Sequence, residues 1–231
     1  MPATTIDRGV AGHGHDCRAE PGGAPHSSPA TPAGRGLTVC LRMRTAPAHA
    51  LVEARLGLPA AIRTVDDYAA LLARFLGIYR PLERLLTAFP DWSGSGIALP
   101  RRGHAECLAS DLATLGVDPG AQRLAPHRLL PDLSTFPHAV GALYVLEGAT
   151  LGGQLILRDL QPRLGFAIAG ATDFFGGRGE LTGSLWRDFR ARVDAFGRAR
   201  PWHEAAVVTG AERTFQAILA WFAPFQAEAR R

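Results

Sequence analysis

The feature that most constrains the fold is a helical spacing of apolar residues from residue 37 to the C-terminus. Apolar side chains recur at intervals of three and four positions, which places them on one face of successive α-helices. No segment has the sustained two-residue alternation between turns that indicates β-strands. The 231 residues, 47% of them hydrophobic, are enough for one substantial core. We therefore expect a single all-α domain over residues 37–231.

Residues 1–36 differ in composition from the rest of the chain. They are rich in Pro, Gly, Ser and Ala and have no apolar period. Such a segment cannot bury enough apolar surface to offset the conformational entropy of folding, so we predict a disordered tail. The tail carries His13, His15, Cys17 and His26, but their spacing is not that of a closed metal site. We interpret these residues as ordinary tail residues.

Local start and stop signals divide the domain into at least about six helices. Thr45 followed by Pro47 predicts the N-cap and first turn of the first helix, which Gly57 ends. Thr64 with Asp67 three positions later predicts a capping box for the second helix. The predicted buried stripe of that second helix consists of Tyr68, Leu71, Leu72, Phe75, Leu76, Tyr79, Leu82 and Leu86. The FFGGRGE segment is predicted to be a loop.

The charge and cysteine content exclude several classes of partner. The net charge of +4 comes from arginine alone, and the arginines are spread along helices instead of forming a nucleic-acid patch. Their planar guanidinium groups suit carboxylates on a small anionic ligand. No apolar run reaches the roughly 18 residues of a membrane span, and no signal peptide is present. With only 3 separated cysteines and no disulfide framework, we expect a soluble cytoplasmic protein.

The strongest physical anomaly is a glycine cluster within one apolar helix, STFPHAVGALYVLEGATLGGQLILRDL. The cluster consists of Gly141, Gly148, Gly152 and Gly153. Each interior glycine costs about 0.5–1 kcal/mol relative to alanine, so the missing side chains should have a purpose. They either let the backbone approach a flat ligand or allow tight helix–helix packing. The sequence leaves both alternatives open, whereas the missing GK[ST] sequence excludes a phosphate loop.

His49 is the histidine best placed to bind a ligand. It lies on the same helical stripe as Val52 and Leu56, and Glu53 one turn later can reach its other ring nitrogen. A carboxylate in that position strengthens a ligating imidazole, although most helical His–Glu pairs are ordinary surface or core pairs. The other histidines of the domain lie near turns or helix starts and are interpreted as surface residues: His104, His127, His138 and His203.

Four segments together resemble the haem oxygenase family: RTAPAHALVEARLGL, GALYVLEGATLGGQLILR, FFGGRG and FRARVDAF. They occur in the family's order over residues 37–231, and LEGATLGGQ is the most specific of them. The likeness is closest to bacterial members associated with bacteriophytochromes. It implies a haem oxygenase-like multi-helix bundle in which haem is sandwiched between a proximal helix and a glycine-kinked distal helix.

The resemblance also implies which residues bind haem. His49 is expected to be the proximal iron ligand, and Glu53 matches the acidic residue beside it. Two arginines match cations that bind the haem propionates, and a tyrosine on the glycine-rich helix completes the set. The implied haem-binding residues are therefore His49, Glu53, Arg42, Arg190 and Tyr144.

On the distal side, the resemblance implies a catalytic wall formed by Gly148, Gly152, Gly153 and Thr150. Animal-type relatives carry an aspartate after the first distal glycine, where it orders the water that delivers protons. Ala149 stands at that position here. The resemblance therefore leaves proton delivery to Thr150 or to backbone carbonyls with water. Trp186 also replaces a propionate-binding lysine found in a relative.

The implied function is oxidative cleavage of haem to biliverdin, carbon monoxide and ferrous iron, with haem as both substrate and cofactor. The reaction uses O2 and electrons from a ferredoxin or a reductase, and a bacteriophytochrome is a possible recipient of biliverdin. Nucleic acid and membrane are not expected partners. The alternative is a non-catalytic haem carrier or sensor with the same fold, which Ala149 and Trp186 motivate. A helical interaction module without a cofactor would require all four motif matches to be accidental.

Overall fold

The structure is a computed structural model that describes residues 36–223. This range contains eight α-helices, four short 3-10 segments and no β-strand, which confirms the predicted all-α class. The predicted tail lies outside the described residues except for Gly36. The helices are α1 Leu37–Leu56, α2 Val65–Thr87, α3 Trp92–Ser95, α4 His104–Thr114, α5 Phe136–Leu164, α6 Asp173–Gly176, α7 Thr182–Ala199 and α8 Glu204–Phe222.

The first helix begins well before its predicted N-cap. Thr45 is buried inside α1, where its hydroxyl donates to the carbonyl of Leu41 at 2.8 Å. The first turn is capped by Asp194 of α7, whose carboxylate accepts the backbone N–H of Thr38 at 2.8 Å and its hydroxyl at 3.0 Å. The prediction at Thr45 is wrong because the capping side chain lies far away in the sequence. No local signal reports such a cap.

The second helix follows its local signals closely. The Thr64 hydroxyl accepts the Asp67 N–H at 3.1 Å, and the Asp67 carboxylate accepts the Thr64 N–H at 2.9 Å. This reciprocal pair confirms the predicted capping box. Every residue of the predicted inner stripe is buried, including Tyr68 and Leu76 at 0% exposure. The helix therefore supplies a large share of the core.

Helix α5 crosses the centre of the bundle and makes its most extensive contact with α8. The crossing depends on Gly141 and Gly210. A Cβ atom on Gly141 would overlap the carbonyl oxygen of Val207, and one on Gly210 would overlap that of His138. The span Phe136–Ile168 is long and apolar enough to cross a membrane. This is weak support for a membrane span because the core helix of a soluble protein passes the same test.

A short helix occupies part of the segment that was predicted to be a loop. The carboxylate of Asp111, fully buried on α4, accepts the backbone N–H groups of Asp173 and Phe174 at 2.9 Å each. This cap closes the turn of α6, which the sequence interpretation missed because Asp111 is distant along the chain. Consequently, Phe174 and Phe175 are directed into the core, where both rings contact Phe75.

Candidate functional site

A cavity of about 430 Å³ lies between α1 and α5. Its volume falls within the range of small-molecule sites. The α1 side is lined by Arg42, Thr45, Ala46, His49, Ala50, Val52, Glu53 and Leu56. The α5 side is lined by Tyr144, Val145, Gly148, Ala149, Gly152, Gly153 and Ile156. Aromatic side chains complete the wall: Phe75, Tyr79, Phe174, Phe175, Trp186 and Phe215.

His49 contributes an accessible imidazole to this cavity. Its Nδ1 atom lies 3.6 Å from Oε1 of Glu53, one helical turn later. The ring meets that of Phe215 edge to face, with 5.8 Å between the centroids. Because the cavity is open to solvent, 57% of the His49 side chain remains exposed. With Nδ1 directed to a carboxylate, Nε2 is the nitrogen left to bind a ligand.

The glycines of α5 divide into two groups, so both alternatives left open by the sequence apply. A Cβ atom on Gly152 would meet nothing within 4 Å, and one on Gly148 would meet only Trp186 at 3.5 Å. These two glycines leave bare backbone facing the cavity. Gly153 instead packs against α6, since a Cβ there would lie 2.9 Å from the Phe175 carbonyl oxygen. Gly141 serves the α5–α8 crossing described above.

One end of the cavity is basic. Burial raises the pKa of Tyr144, while Arg190 and Arg42 oppose that rise because their charges lie close to its hydroxyl. The structure thus brings together three residues that the sequence implied, although Arg190 is exposed and does not line the cavity. The Trp186 ring covers this end, with its centroid 5.5 Å from that of Tyr144.

Thr150 lies on a neighbouring face of α5 and does not line the cavity. Its hydroxyl donates to the carbonyl of Glu147 at 2.7 Å. It contributes to a second cavity, of about 400 Å³, on that face. Ala149 is exposed toward the first cavity and carries no hydrogen-bonding side chain. At Gly148, Ala149 and Gly152, the α5 side of the first cavity therefore presents only backbone and a methyl group.

The sequence interpretation of His104 as a surface residue is wrong. His104 is 7% exposed, and its Nε2 atom lies 3.0 Å from Oε1 of Glu147. The signal that could have found this pair is Glu147 itself, an ionisable residue in an otherwise apolar stretch of α5. Such a group needs a buried partner. Of the other three histidines of the domain, His127 is exposed, His138 and His203 are partly buried, and none lines the first cavity.

The residues present fit a haem group. The cavity is walled by aromatic and aliphatic side chains, as a porphyrin ring requires. An accessible imidazole on α1 faces bare glycine backbone on α5, so one axial position can be ligated while the opposite face stays open to a small molecule. Arg42 in the lining, and Arg190 outside it but near Tyr144, supply positive charge for the two propionates.

Comparisons with known proteins agree with this geometry. The family model described as Heme oxygenase matches residues 35–224, well over half of the chain. No curated protein matches the sequence. A structure of a heme oxygenase from Leptospira interrogans matches with a TM-score of 0.58 at 16% sequence identity. That match covers 82% of this chain and 99% of the other chain, so the two proteins share a fold. The chain thus belongs to the haem oxygenase family.

Proposed function

We propose that this protein cleaves haem oxidatively to biliverdin, carbon monoxide and ferrous iron. The observation that carries the proposal is the pairing, across one cavity of about 430 Å³, of the His49 imidazole with the bare backbone of Gly148 and Gly152. Family membership supports haem oxygenase activity in general. The products, the source of electrons and the roles of individual residues are part of this proposal.

Haem, bound as the substrate, supplies the iron at which oxygen is activated. His49 would hold the iron through Nε2, while Glu53 orients the imidazole through Nδ1. On the opposite face, Gly148 and Gly152 provide a close wall without side chains, and Gly153 holds that wall against α6. This wall restricts the position of a small molecule bound beside it. The molecule is therefore held toward the edge of the porphyrin, which favours reaction at that edge.

Two further groups orient the substrate and exclude water. Arg42 and Arg190, whose charges both act on Tyr144, would bind the propionates and fix the rotation of the ring. That rotation decides which meso carbon lies against the distal wall. The aromatic side chains around the cavity keep bulk water away from the reacting edge.

We infer that electrons come from a ferredoxin or a reductase in the cytoplasm, because oxidative cleavage of haem consumes electrons from an external donor. The likeness of the LEGATLGGQ motif to bacteriophytochrome-associated proteins supports biliverdin supply to such a photoreceptor as the biological purpose. Neither nucleic acid nor a membrane is part of the proposal.

A haemin titration followed by reductant and air in the same cuvette tests the proposal. The unaltered protein is expected to bind haemin and to convert its Soret band into a biliverdin spectrum. His49→Ala is expected to lose the signature of an axial imidazole and the conversion with it. His127→Ala, at an exposed histidine away from the cavity, is the matched control.

The alternative is a haem carrier or sensor, which the methyl group of Ala149 favours because it cannot order water on the distal side. A Soret band that forms normally and persists under reductant and air would support this alternative. Breakdown of bound haem under the same conditions excludes it.

A further inference from the structure

The second cavity lies beside the candidate haem cavity, and its mainly apolar lining carries a group of ionisable side chains. The two cavities share the side chains of Phe174 and Trp186. Polar and ionisable residues lining the second cavity are Arg101, His104, Glu147, Thr150, Asp173, Arg178, Thr182, Asp188 and Arg192. A partly open cavity that contains ionisable side chains is therefore separated from the haem cavity by two aromatic side chains.

The His104–Glu147 pair lies at the boundary between these two spaces. Glu147 lines the second cavity, whereas the next residue along α5, Gly148, lines the haem cavity. His104 is the first residue of α4, and its Nε2 lies 3.0 Å from the Glu147 carboxylate. Only 9% of the His104 side chain and 22% of the Glu147 side chain are exposed. Burying two ionisable groups is costly even when they are paired, which suggests a functional reason for the pair.

Glu83 on α2 fixes the backbone at His104. Its carboxylate accepts the backbone N–H of His104 at 2.6 Å and that of Ala105 at 3.2 Å, which caps α4. Burial raises the pKa of Glu83, and the carboxylate of Glu147 adds to that rise. The position of His104 is thus fixed by two carboxylates from two different helices.

Tyr79, one turn before Glu83 on α2, connects the pair to the haem cavity. Its ring packs edge to face on His104, with 5.6 Å between the centroids, and it lines the haem cavity. Burial raises the pKa of Tyr79, and the charges of Glu83 and Glu147 raise it further. Tyr79 therefore stays protonated and can donate a hydrogen bond to water in the cavity.

The proposed reaction needs protons on the distal face, because reduction of oxygen to water consumes them. The side chain of Ala149 has no ionisable proton. The Thr150 hydroxyl donates its hydrogen bond to the carbonyl of Glu147 and faces the second cavity. Thr150 is therefore not placed to supply protons to the haem cavity, and water held by backbone carbonyls, the other candidate from the sequence, still needs an acidic group as its source of protons. The supply must come from another ionisable group nearby.

We propose that the His104–Glu147 pair delivers protons to the distal face of the haem cavity and is refilled from solvent through the second cavity. This inference rests on the proposed function. In each transfer, one proton passes from the pair to water on the haem side, beside Phe174 and Tyr79. The pair then takes one proton from solvent water, so its own charge is restored. The electrons come from the external donor.

The first test is Glu147→Gln, which keeps the shape and the acceptor oxygen but removes the acid. Glu106→Gln is the matched control, because Glu106 lies on the adjoining α4, is 66% exposed and pairs only with Arg102 at the surface. We expect Glu147→Gln to bind haemin as the unaltered protein does and to degrade it about 100-fold more slowly, a typical loss for a proton-transfer group. Its rate should also show a larger solvent isotope effect, which a purely structural role would not produce.

Chemical rescue provides a second readout. Formate is small enough to enter the second cavity, so it should restore part of the rate of Glu147→Ala and leave that of Glu106→Ala unchanged. If Glu147→Gln does not bind haemin, His104→Gln replaces it, because its amide still donates to Glu147 but cannot carry a proton. Unchanged rates in these variants would overturn the inference.

An NMR measurement on haem-free protein tests the His104–Glu147 pair independently of activity. In haem-free protein labelled with 15N-histidine, we expect a downfield ring N–H resonance of His104 that moves upfield in Glu147→Gln, where an amide oxygen replaces the carboxylate, and is unchanged in Glu106→Gln. Absence of that resonance in the unaltered protein contradicts the inference. If the unaltered protein binds haemin but never degrades it, the proposed function fails and the inference fails with it. If Glu147→Gln and the unaltered protein degrade haem at equal rates, the inference is wrong and the proposed function still holds.

Discussion

Nδ1 of His49 lies 3.6 Å from Oε1 of Glu53, so the candidate iron ligand and the group that orients it are one turn apart on the same helix. Carboxylates in this position typically improve metal affinity 10-fold to 100-fold. Because 69% of the Glu53 side chain is exposed, we expect Glu53→Gln to weaken haemin binding by the smaller factor, about tenfold. A haemin titration measures this change.

The control for this prediction is Glu212→Gln. Glu212 pairs with Arg44 of α1 at 3.1 Å but lies outside the cavity lining. The two variants remove the same charge next to the same helix. Equal haemin affinities for both would mean that Glu53 does not orient His49.

The two groups of glycines on α5 predict opposite effects of the same substitution. Gly152→Ala places a methyl group in open space and should raise the free energy of unfolding by about 0.5–1 kcal/mol, because alanine favours the helix. Gly141→Ala drives a methyl group into the backbone of α8 and should destabilise the fold by at least about 1–3 kcal/mol. Urea unfolding of the haem-free variants measures both changes.

Haemin binding provides a second test of the different roles of Gly152 and Gly141. Gly152→Leu adds a bulky side chain to the face that lines the cavity, so it should abolish haemin binding in a protein that still folds. If Gly152→Leu binds haemin normally, the distal wall does not contact the porphyrin. A stable Gly141→Ala would contradict the close approach of α5 and α8.

Local signals predicted the parts of the fold that depend on neighbouring residues. The capping box of Thr64 and Asp67 involves residues three positions apart, and the buried stripe of α2 follows helical spacing. The start of α1 was wrong because Asp194, its capping residue, comes from α7. The same limit applies to His104: Glu147 stands out as an ionisable residue in an apolar stretch, but local spacing does not identify its partner on another helix. Tertiary partners leave no pattern in the local sequence.

Some features of the candidate site were likewise predicted from the sequence and others were not. The relation between His49 and Glu53 is intrahelical and therefore visible as a four-residue spacing. Which glycines face the cavity and which face α8 depends on the orientation of the whole of α5, and composition alone does not encode it. Thr150 was grouped with Gly148 on proximity in the motif, yet helical rotation turns it into the second cavity.

The capping carboxylate of Asp67 predicts a pH-dependent contribution to stability. A hydrogen bond from the Arg63 N–H is the main reason that the pKa of Asp67 lies below its ordinary value of 3.8. A lowered folded-state pKa means that this stabilisation is fully present above pH 3.8 and is lost as the pH falls through the folded-state value. Asp67→Asn should therefore cost about 0.5 kcal/mol at neutral pH, as expected for a charge at an exposed helix start.

Urea unfolding at neutral pH and in acid checks this sign. The stability difference between the unaltered protein and Asp67→Asn should shrink as the pH falls below 3.8. Asp66→Asn is the control because it removes a charge from the same turn without the capping hydrogen bonds. A difference for Asp67→Asn that does not change with pH would show that the charged form of Asp67 does not stabilise the cap.

The basic end of the cavity predicts that charge recognition depends on the propionates and not on the ring. Arg42 and Arg190 both lie close enough to Tyr144 to affect its pKa, and both are exposed. Exposed ion pairs contribute about 0.2–1 kcal/mol each, so Arg42→Gln and Arg190→Gln should each weaken haemin binding by about 1.5-fold to 5-fold. The losses should diminish as salt is added, because salt screens exposed charges.

The dimethyl ester of haemin separates the charge effect from a general loss of fit. It keeps the ring and the iron but has no propionate charge, so Arg42→Gln and Arg190→Gln should bind it as well as the unaltered protein does. His49→Ala should lose affinity for both compounds, since the axial ligand acts on the iron. If the arginine substitutions weaken binding of the ester as strongly as binding of haemin, the two arginines shape the cavity and do not bind the carboxylates.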